Sequence, residues 1–544
     1  MRICLINPPT TAGDESLYFL FCLLALGGEL RAAGHSCDVV DFDLLYRSGR
    51  CGTARTFFDR AVARLKQGHA DAFGITTICA NFPVALLLAE RLRAEFPLLP
   101  IVLGGPQASS VAAETLEAWP AVDVVVMGEG ENALVDLLNA GCDPDALDAV
   151  PGIAFRRGTE IVTTATRPLI ADLDTLPRPD YALVDLAAYE AASRKIGHGF
   201  SPSVEAGRGC PFKCTFCSTK SMWVSTFRIK SPARLLDEME QLHATYGYTS
   251  FPTIHDNFTT LKKYVEEVCT YFGAHNTRGL TWGASSRTDT LDPERLDRLY
   301  RAGCSGLFFG VESGSAGMQK IIRKGLRLDR FDPILDAMVE RKMDATTSFI
   351  VGFPEEGPDD VDQTITAAYR YKTRGASRVF FTQLVPLAGT EVTRRYFDEL
   401  TLPDEATSIA RYGIGQGIGA ARTRAMIAAD KQLFSAFYRF PTPGLPDVHL
   451  EGLAQFYKHT IATQAGRLGR LFEMGLAPLE LFGRWRTWVR SVHPRLASYE
   501  SSQSSLRFFG RFTRETIGRR RRVAAPTLSP KCIRSPQTAV PHVS

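Results

Sequence analysis

Short apolar runs alternate with longer amphipathic stretches over the amino-terminal quarter of the chain. The short runs have the length of buried strands, and the longer stretches place apolar residues on one helical face. Strands are predicted at residues 2–7, 37–42, 72–78, 101–103 and 122–127. Helices are predicted at residues 17–33, 57–66 and 82–96. This alternation predicts an α/β fold with a parallel, doubly wound, Rossmann-like sheet over residues 1–142.

Glycine turns follow the fourth and fifth predicted strands. The first reads Gly104-Gly105-Pro106 and the second Gly128-Glu129-Gly130. Ligands of open parallel sheets bind at the carboxyl ends of the strands. A ligand face is therefore predicted along these turns.

A second series of strands and helices begins near residue 201. Residues 143–200, rich in Asp, Pro and turn signals, are interpreted as a linker with a small hairpin around residues 152–163. Six strands are predicted to end near Glu205, His255, Ser285, Val311, Gly352 and Leu384. Parallel strands with intervening helices predict a partial or complete barrel over residues 201–395.

The last part of the chain is predicted to be helical and then irregular. Helical patterns at 407–411, 425–438 and 450–463 favour a helical domain over residues 396–500. From residue 501 the chain is rich in Ser, Arg and Pro, with consecutive arginines at 519–522. Residues 501–544 are therefore expected to form a basic, disordered tail.

Composition narrows the class of protein. The 544 residues are too many for one core, and 45% apolar with 22% charged residues is ordinary for a globular protein. A net charge of +4 predicts no nucleic-acid partner. The amino terminus does not resemble a signal peptide, and the apolar run at 17–26 is too short to span a bilayer. A cytoplasmic protein with no membrane span is expected, with its twelve cysteines as thiols or metal ligands.

Three cysteines with the spacing C-x3-C-x2-C follow a predicted strand. They are Cys210, Cys214 and Cys217 in the sequence RGCPFKCTFC of residues 208–217. Three thiolates hold three irons of a four-iron, four-sulfur cluster and leave the fourth iron open. A closed structural zinc site takes four ligands, and no fourth Cys or His lies nearby in the sequence. A zinc-binding loop and three buried thiols are the alternatives.

This loop resembles the cluster loop of the radical S-adenosylmethionine (SAM) superfamily, in which an aromatic residue precedes the third cysteine. The resemblance implies a partial (β/α)6 barrel, a [4Fe-4S] cluster, SAM bound to the open iron and cleavage of SAM to a 5′-deoxyadenosyl radical. It implies SAM-binding positions at Phe216, Asp256, Arg287, Glu312, Gly352 and Pro386. The alternatives are a helix cap or Asx turn for Asp256 and a salt bridge for Arg287.

The amino-terminal domain resembles the cobalamin-binding domain of one large branch of this superfamily. The matching segments are Asn7-Pro8-Pro9, residues 104–109 and residues 128–131. The resemblance implies that cobalamin contacts Asn7, Pro8, Thr76, Thr77, Gly104, Gly105, Gln107, Ser109, Gly128, Glu129 and Gly130. A plain doubly wound domain with tight turns is the alternative.

One motif of other cobalamin proteins is absent from the sequence. This is the D-x-H-x-x-G motif that gives cobalt an axial histidine in mutases. His35 and His69 are interpreted as capping or surface residues. The resemblance then implies cobalt without a histidine ligand, with its lower face toward Thr76, Thr77 or Ile78.

The resemblance implies a cobalamin-dependent radical SAM methyltransferase that methylates an unactivated carbon through a 5′-deoxyadenosyl radical and methylcobalamin. A rearrangement or cyclisation with the same cofactors is an alternative, and the product mass separates the two. A methylthiotransferase would carry a second cluster, hence about eight irons per chain instead of about four. A non-catalytic cobalamin or redox sensor would not cleave SAM.

The substrate is not specified by the sequence. By analogy, a secondary metabolite or a peptide is expected, together with an external electron donor of the flavodoxin or ferredoxin type. Tyr457, Trp485 and Trp488 in the helical region are interpreted as core aromatics, with a cap over the active site as the alternative.

Overall fold

The computed structural model describes residues 1–10, 19–403, 417–446, 448–492 and 506–523 of the chain. These residues contain a seven-stranded sheet, a six-stranded sheet and a two-stranded ribbon. Helices cover both sheets and continue into the carboxyl-terminal region.

The amino-terminal sheet combines five parallel strands with an antiparallel hairpin. Its strands are β1 Arg2–Asn7, β2 Ser36–Asp41, β3 Ala72–Thr76, β4 Ile101–Gly104, β5 Val124–Val126, β6 Ile153–Arg157 and β7 Glu160–Thr163. The spatial order is β2-β1-β3-β4-β5-β6-β7. The hairpin predicted around residues 152–163 is present. It is not part of a linker, because β6 pairs with β5 and so extends the sheet. Burial of Ile153 and Phe155 in the domain core explains this difference.

Alternate residues of β1 enter two different cores. Cys4 and Ile6 pack with helix Phe82–Glu95 on one side, whereas Ile3 and Leu5 pack with helix Gly130–Asn139 on the other. A strand that is buried on both faces reads as a continuous apolar run, as this one does. The predicted doubly wound arrangement is confirmed.

The second sheet is an open parallel barrel. Its strands are β8 Val204–Glu205, β11 Ser250–Ile254, β12 Thr281–Ser286, β13 Cys304–Glu312, β14 Asp344–Val351 and β15 Arg378–Gln383. The order is β15-β14-β13-β12-β11-β8, and every pairing is parallel. The predicted strand ends lie within one residue of those observed. Strands β9 Gly207–Arg208 and β10 Arg228–Ile229 form the antiparallel ribbon.

Helices follow most strands, and several begin with recognisable caps. Asp292 accepts a hydrogen bond from the Arg295 amide, and Pro293 occupies the first turn, where a missing N–H costs nothing. The helices are Phe21–Ala32, Phe42–Arg47, Phe57–Leu65, Phe82–Glu95, Pro106–Ser110, Ala112–Ala118, Gly130–Asn139, Leu186–Lys195, Thr219–Trp223, Pro232–Tyr246, Lys262–His275, Pro293–Arg301, Ala316–Ile321, Phe331–Glu340, Pro358–Arg374, Glu391–Arg395, Ala420–Ala429, Leu450–Glu473, Pro478–Val492 and Phe509–Val523. None of the helices in the described ranges is long and apolar enough to cross a membrane.

The carboxyl-terminal helices pack on the barrel. Helices Leu450–Glu473 and Pro478–Val492 lie against the barrel helix Pro358–Arg374 and bury Phe456 and Trp485. Helix Phe509–Val523 corrects part of the expected disordered tail, because Phe509 and Phe512 pack against Trp485. The core-aromatic interpretation agrees with the burial of Tyr457, Trp485 and Trp488. The helix predicted at 407–411 and the tail from residue 524 lie outside the described residues.

Candidate active site

The three cysteines lie in the loop between β9 and helix Thr219–Trp223, at the carboxyl end of the barrel. Gly209 has φ 89°, and a side chain there would meet the Thr226 carbonyl oxygen at 2.4 Å. The amide of Gly209 donates to Asp256 Oδ2 at 2.9 Å, and the amide of Thr215 donates to the Ile322 carbonyl at 3.1 Å. The start of the cysteine loop is therefore tied to the turn after β11, and its middle to the end of helix Ala316–Ile321.

The thiols of Cys210, Cys214 and Cys217 are partly exposed and lie near one another. Burial raises the pKa of Cys210, and the neighbouring Cys217 raises it further. Burial also raises the pKa of Cys214, and the nearby cations Lys324 and Arg287 offset part of this rise. No three His, Cys, Asp or Glu side chains of the described residues converge as they would around a single metal ion. As thiolates, these three cysteines would each bind one iron of a cluster, and Lys324 and Arg287 beside Cys214 would favour its charged form.

The turn after β11 holds the cysteine loop. Asp256 accepts hydrogen bonds from the Gly209 amide and from Thr219 Oγ1 at 3.2 Å, and burial raises the pKa of Asp256. Asn257 is buried near the Cys210 thiol, and the polar atoms of its side chain have no hydrogen-bond partner among the described residues. Burial lowers the pKa of His255 to about 4, so this ring is neutral near pH 7. The predicted SAM residue Asp256 thus also supports the cluster loop.

Two ion pairs, one buried and one partly exposed, flank the cluster loop. Glu312 Oε1 accepts from Lys324 Nζ at 2.8 Å, and this ammonium group lies 6.0 Å from the centre of the Phe216 ring. Arg287 donates to both carboxylate oxygens of Asp289 and stacks 3.7 Å from the centre of the Phe212 ring. The salt-bridge alternative for Arg287 is therefore the observed state.

Lys324 was not found by sequence reasoning. It follows helix Ala316–Ile321 and precedes Gly325, which has φ 66°. A lone lysine before a glycine turn carries no recognisable motif, and its proximity to Cys214 comes only from the fold.

The ends of β14 and β15 complete the rim of the barrel. Gly352 has φ 92°, and its amide donates to the buried carboxylate of Glu356 at 2.6 Å. The carbonyl of Pro386 accepts from Ser435 Oγ at 2.9 Å. Below this rim, Ile254, Phe308 and Phe380 are large apolar residues that remain more than a third exposed although they lie on barrel strands. Their neighbours in each strand are buried against the helices, so these three side chains face the barrel interior.

The carboxyl edge of the amino-terminal sheet carries most of the predicted cobalamin residues. Asn7 Nδ2 donates to Asp41 Oδ1 at 2.9 Å, and Asn81 Nδ2 to the Pro8 carbonyl at 3.5 Å. Thr77 Oγ1 donates to the Gly104 carbonyl at 2.8 Å and accepts from the Ala108 amide. Thr76 lies beside this bond. Its Oγ1 atom is 3.2 Å from the position that a Cβ atom would take at Gly105. These side chains build the edge on which a ligand would rest.

Three further predicted cobalamin residues are engaged within the protein. Gln107 Nε2 donates to the Leu433 carbonyl at 3.0 Å, and Ser109 Oγ accepts from the Gly128 amide at 3.1 Å. Glu129 turns toward the barrel, where Arg208 and Arg228 donate to its carboxylate at 2.7 and 2.8 Å. A cobalamin contact through the Glu129 side chain does not agree with this pairing. The backbone of the 128–130 turn stays at the sheet edge because Gly130 begins the following helix.

The two carboxyl edges therefore face each other. The turn after β5 contacts the segment before the cysteine loop through Glu129 and Arg208. The loop after β15 approaches the loop after β4, where a side chain at Gly389 would lie 3.8 Å from Ser110 Oγ. A cluster on the barrel and a ligand on the amino-terminal sheet would share the space between these edges.

Two family models match the chain over the two domains. The radical SAM superfamily model matches residues 204–368, and the B12 binding domain model matches residues 22–138. An uncharacterized methyltransferase of Pyrococcus horikoshii is 29% identical over 72% of this chain and 82% of its own length. An anaerobic magnesium-protoporphyrin IX monomethyl ester cyclase of Synechocystis is 30% identical over 68% of this chain and 73% of its own length.

A similar fold occurs in a solved structure. The radical SAM methyltransferase TsrM from Kitasatospora setae, with cobalamin and a [4Fe-4S] cluster bound, matches with a TM-score of 0.62 at 18% identity. The match covers 82% of this chain and 88% of that one. The chain belongs to the radical SAM enzymes that carry a B12-binding domain, the family whose cofactors are a [4Fe-4S] cluster, SAM and cobalamin.

Proposed function

We propose that this enzyme is a cobalamin-dependent methyltransferase that acts on an unactivated carbon of a secondary metabolite or peptide. The observation that carries the proposal is the direct contact between Arg208, two residues before Cys210, and Glu129 in the cobalamin turn. Hydrogen removal and methyl transfer must reach the same carbon, and reacting atoms need to be ~3–3.5 Å apart. The carboxyl edges of the two sheets face each other, so cofactors bound at them could reach the same carbon.

The residues of the chain have distinct parts in this reaction. When bound, the cluster with SAM supplies the radical that takes hydrogen, and cobalamin supplies the methyl group. Cys210, Cys214 and Cys217 would hold three irons, while Asp256 orients their loop through Gly209. The edge built by Thr77 and Gly104 would support cobalamin.

The overall reaction balances with two molecules of SAM. The C–H bond of the substrate breaks, and its hydrogen ends on the 5′-deoxyadenosine formed when one SAM is cleaved with release of methionine. The methyl group of the other SAM ends on the carbon, which leaves S-adenosylhomocysteine. Two electrons complete the balance, so the enzyme requires an external one-electron donor. A donor of the flavodoxin or ferredoxin type in the cytoplasm suits this chemistry.

The substrate is expected to present an apolar group to the barrel. Ile254, Phe308 and Phe380 line the interior below the cofactor rim. Relatives named as methyltransferases include the cobalamin-dependent radical SAM methyltransferase TokK of Streptomyces tokunonensis, which is 34% identical over 53% of this chain and 43% of its own length. TsrM has been solved with tryptophan as substrate.

A cyclisation is the second candidate, favoured by the likeness to the Synechocystis cyclase. The two reactions differ in what becomes of SAM. Methyl transfer releases S-adenosylhomocysteine as well as 5′-deoxyadenosine, whereas cyclisation moves no methyl group.

The test uses the full chain, purified without oxygen and loaded with iron, sulfide and cobalamin. With SAM and a chemical reductant, we expect S-adenosylhomocysteine from the wild type. A triple variant, Cys210→Ala with Cys214→Ala and Cys217→Ala, should form no 5′-deoxyadenosine. Formation of 5′-deoxyadenosine without any S-adenosylhomocysteine would exclude the methyltransferase and favour the cyclase.

A further inference from the structure

We infer that Arg208 is a positioning residue that fixes the cluster loop of the barrel against the cobalamin turn of the amino-terminal domain. The inference rests on the proposed function in one respect, that both cofactors act on one carbon. It assigns a role to a side chain whose guanidinium nitrogens all donate to carboxylates of the protein.

The guanidinium group of Arg208 is bound on all sides. Its Nη1 donates to Glu129 Oε1 at 2.7 Å, its Nη2 to Glu131 Oε1 at 2.7 Å and its Nε to Glu205 Oε1 at 2.8 Å. The side chain is 6% exposed; burial lowers the pKa of Arg208, but the three carboxylates together raise it by more. Glu129 and Glu131 belong to the amino-terminal domain, whereas Glu205 ends β8 of the barrel. One side chain therefore bridges the two domains.

Arg228 and Lys230, close to Arg208, also form ion pairs with neighbouring carboxylates. Arg228, paired with Arg208 across the β9–β10 ribbon, donates to Glu129 at 2.8 Å and to the Ile170 carbonyl at 2.6 Å. Lys230 is buried and donates to Glu238 Oε1 at 2.9 Å, and its Nζ lies 3.8 Å from Glu205. The network leaves Arg208 little freedom to move.

Geometry is the main contribution of such a network. Desolvation offsets most of the attraction within a buried ion pair, so the net stabilisation is small. The planar fork of arginine nevertheless fixes direction as well as distance. Only Gly209, itself held by Asp256, separates Arg208 from Cys210. A displacement of Arg208 relative to Glu129 therefore displaces the cluster ligands relative to the cobalamin turn.

The experiment compares Arg208→Met and Arg208→Lys with the wild type in the full chain loaded with both cofactors. The control is Arg93→Met, which removes a part-buried ion pair with Asp123 inside the amino-terminal domain. Pulsed electron paramagnetic resonance measures the distance distribution between the reduced cluster and cob(II)alamin. We expect a narrow distribution in the wild type and the control, a broadened or shifted one in Arg208→Met, and an intermediate one in Arg208→Lys.

Iron and cobalt contents must stay near the wild-type values for the comparison. If Arg208→Met does not fold, Glu131→Gln replaces it, since this change weakens one arm of the bridge and keeps the other two. A wild-type distribution in the folded variants overturns the inference. Measurement of the distance between the cluster and cob(II)alamin does not require methyl transfer. The test therefore stays valid even if the enzyme releases no S-adenosylhomocysteine.

Discussion

Lys324 brings a positive charge to the cluster loop. Its ammonium group pairs with the buried carboxylate of Glu312, lies over the Phe216 ring and lowers the pKa of Cys214. Reduction of a cluster adds negative charge, and a nearby cation stabilises the reduced form.

Lys324→Met is therefore expected to make the cluster harder to reduce. The variant loses the cation and leaves Glu312 unpaired next to the cysteine loop. A spectroelectrochemical titration should give a more negative midpoint potential than in the wild type. Lys320→Met, at an exposed position of the preceding helix, is the matched control. Equal potentials in all three proteins would contradict the prediction.

Glu356 gives the fold a pH dependence. Burial raises the pKa of this carboxyl from 4.5 to about 8, although the amides of Gly352 and Phe353 favour its charged form. The neutral carboxyl therefore stabilises the folded state fully below about pH 4.5, and this contribution is lost as the pH rises through about 8.

Glu356→Gln removes this titration and keeps an acceptor for the Gly352 amide. Between pH 5 and 9 the wild type should lose roughly 2–5 kcal/mol more unfolding free energy than the variant. Denaturant unfolding at several pH values measures the difference. Parallel pH profiles for the two proteins would show that Glu356 does not titrate in this range.

The hydrogen-bond partners of the site's side chains were the feature that the sequence predicted least well. The motif identified Cys210, Cys214 and Cys217 because their spacing is local. Glu129 was expected at cobalamin, but its partner Arg208 lies 79 positions away, and only the packing of two domains brings them together. Assignment of the remaining SAM and cobalamin contacts stays a prediction.

The two adjacent glycines of the turn after β4 differ in what an added side chain would meet. A side chain at Gly105, which has φ 94°, would meet the Thr77 carbonyl oxygen at 2.4 Å, whereas one at Gly104 would meet no protein atom within 4 Å. Gly105 is thus required by the turn itself.

We expect Gly105→Ala to lower both the thermal midpoint and the cobalamin affinity. Gly104→Ala should leave the midpoint unchanged, since a methyl group there meets no protein atom, and weaken cobalamin binding if the ligand occupies that open space. Calorimetry of the cobalamin-free chain and equilibrium binding of hydroxocobalamin provide the two measurements. Unchanged affinity in Gly104→Ala would place cobalamin away from this turn.

Helix Phe509–Val523 shows why composition misled the prediction at the carboxyl end. The segment is rich in arginine, yet Phe509 and Phe512 are three positions apart and so lie on one helical face. That face covers Phe456 and Trp485, which belong to other helices. The strands of the barrel were predictable because buried residues alternate within short local runs, as in β11, β12 and β15, whereas this helix depends on a partner surface.

Phe509→Ala is expected to lower the unfolding free energy by roughly 3–5 kcal/mol, because the ring is fully buried among aromatic residues. Arg514→Ala, at an exposed position of the same helix, should change it by less than about 0.5 kcal/mol. Denaturant titrations of both variants test the prediction. Similar stabilities for the two would mean that this helix adds little to the core.

At the scale of the whole molecule, one apolar core is shared by the amino-terminal domain, the barrel and the segment of residues 418–440. Phe82 of the amino-terminal domain packs against Phe434, with ring centres 5.8 Å apart, and Phe353 of the barrel belongs to the same cluster. A shared core couples the unfolding of its parts.

We therefore expect a single unfolding transition in calorimetry, with Phe434→Ala shifting the whole transition to lower temperature. The reason is that truncation of Phe434 leaves a cavity bordered by both domains. Two resolved peaks, of which only one moves, would contradict this prediction.

The contact between the Gln107 amide and the Leu433 carbonyl spans 326 positions of the chain. Domains usually complete their folding as they leave the ribosome, at a synthesis rate of roughly 5–20 residues per second. Here the amino-terminal domain waits for a segment made roughly tens of seconds later. The part of helix Phe82–Glu95 that packs against helix Ala420–Ala429 and Phe434 is expected to stay uncovered during that time. Newly made chains are thus expected to take up cobalamin late, when synthesis is nearly finished.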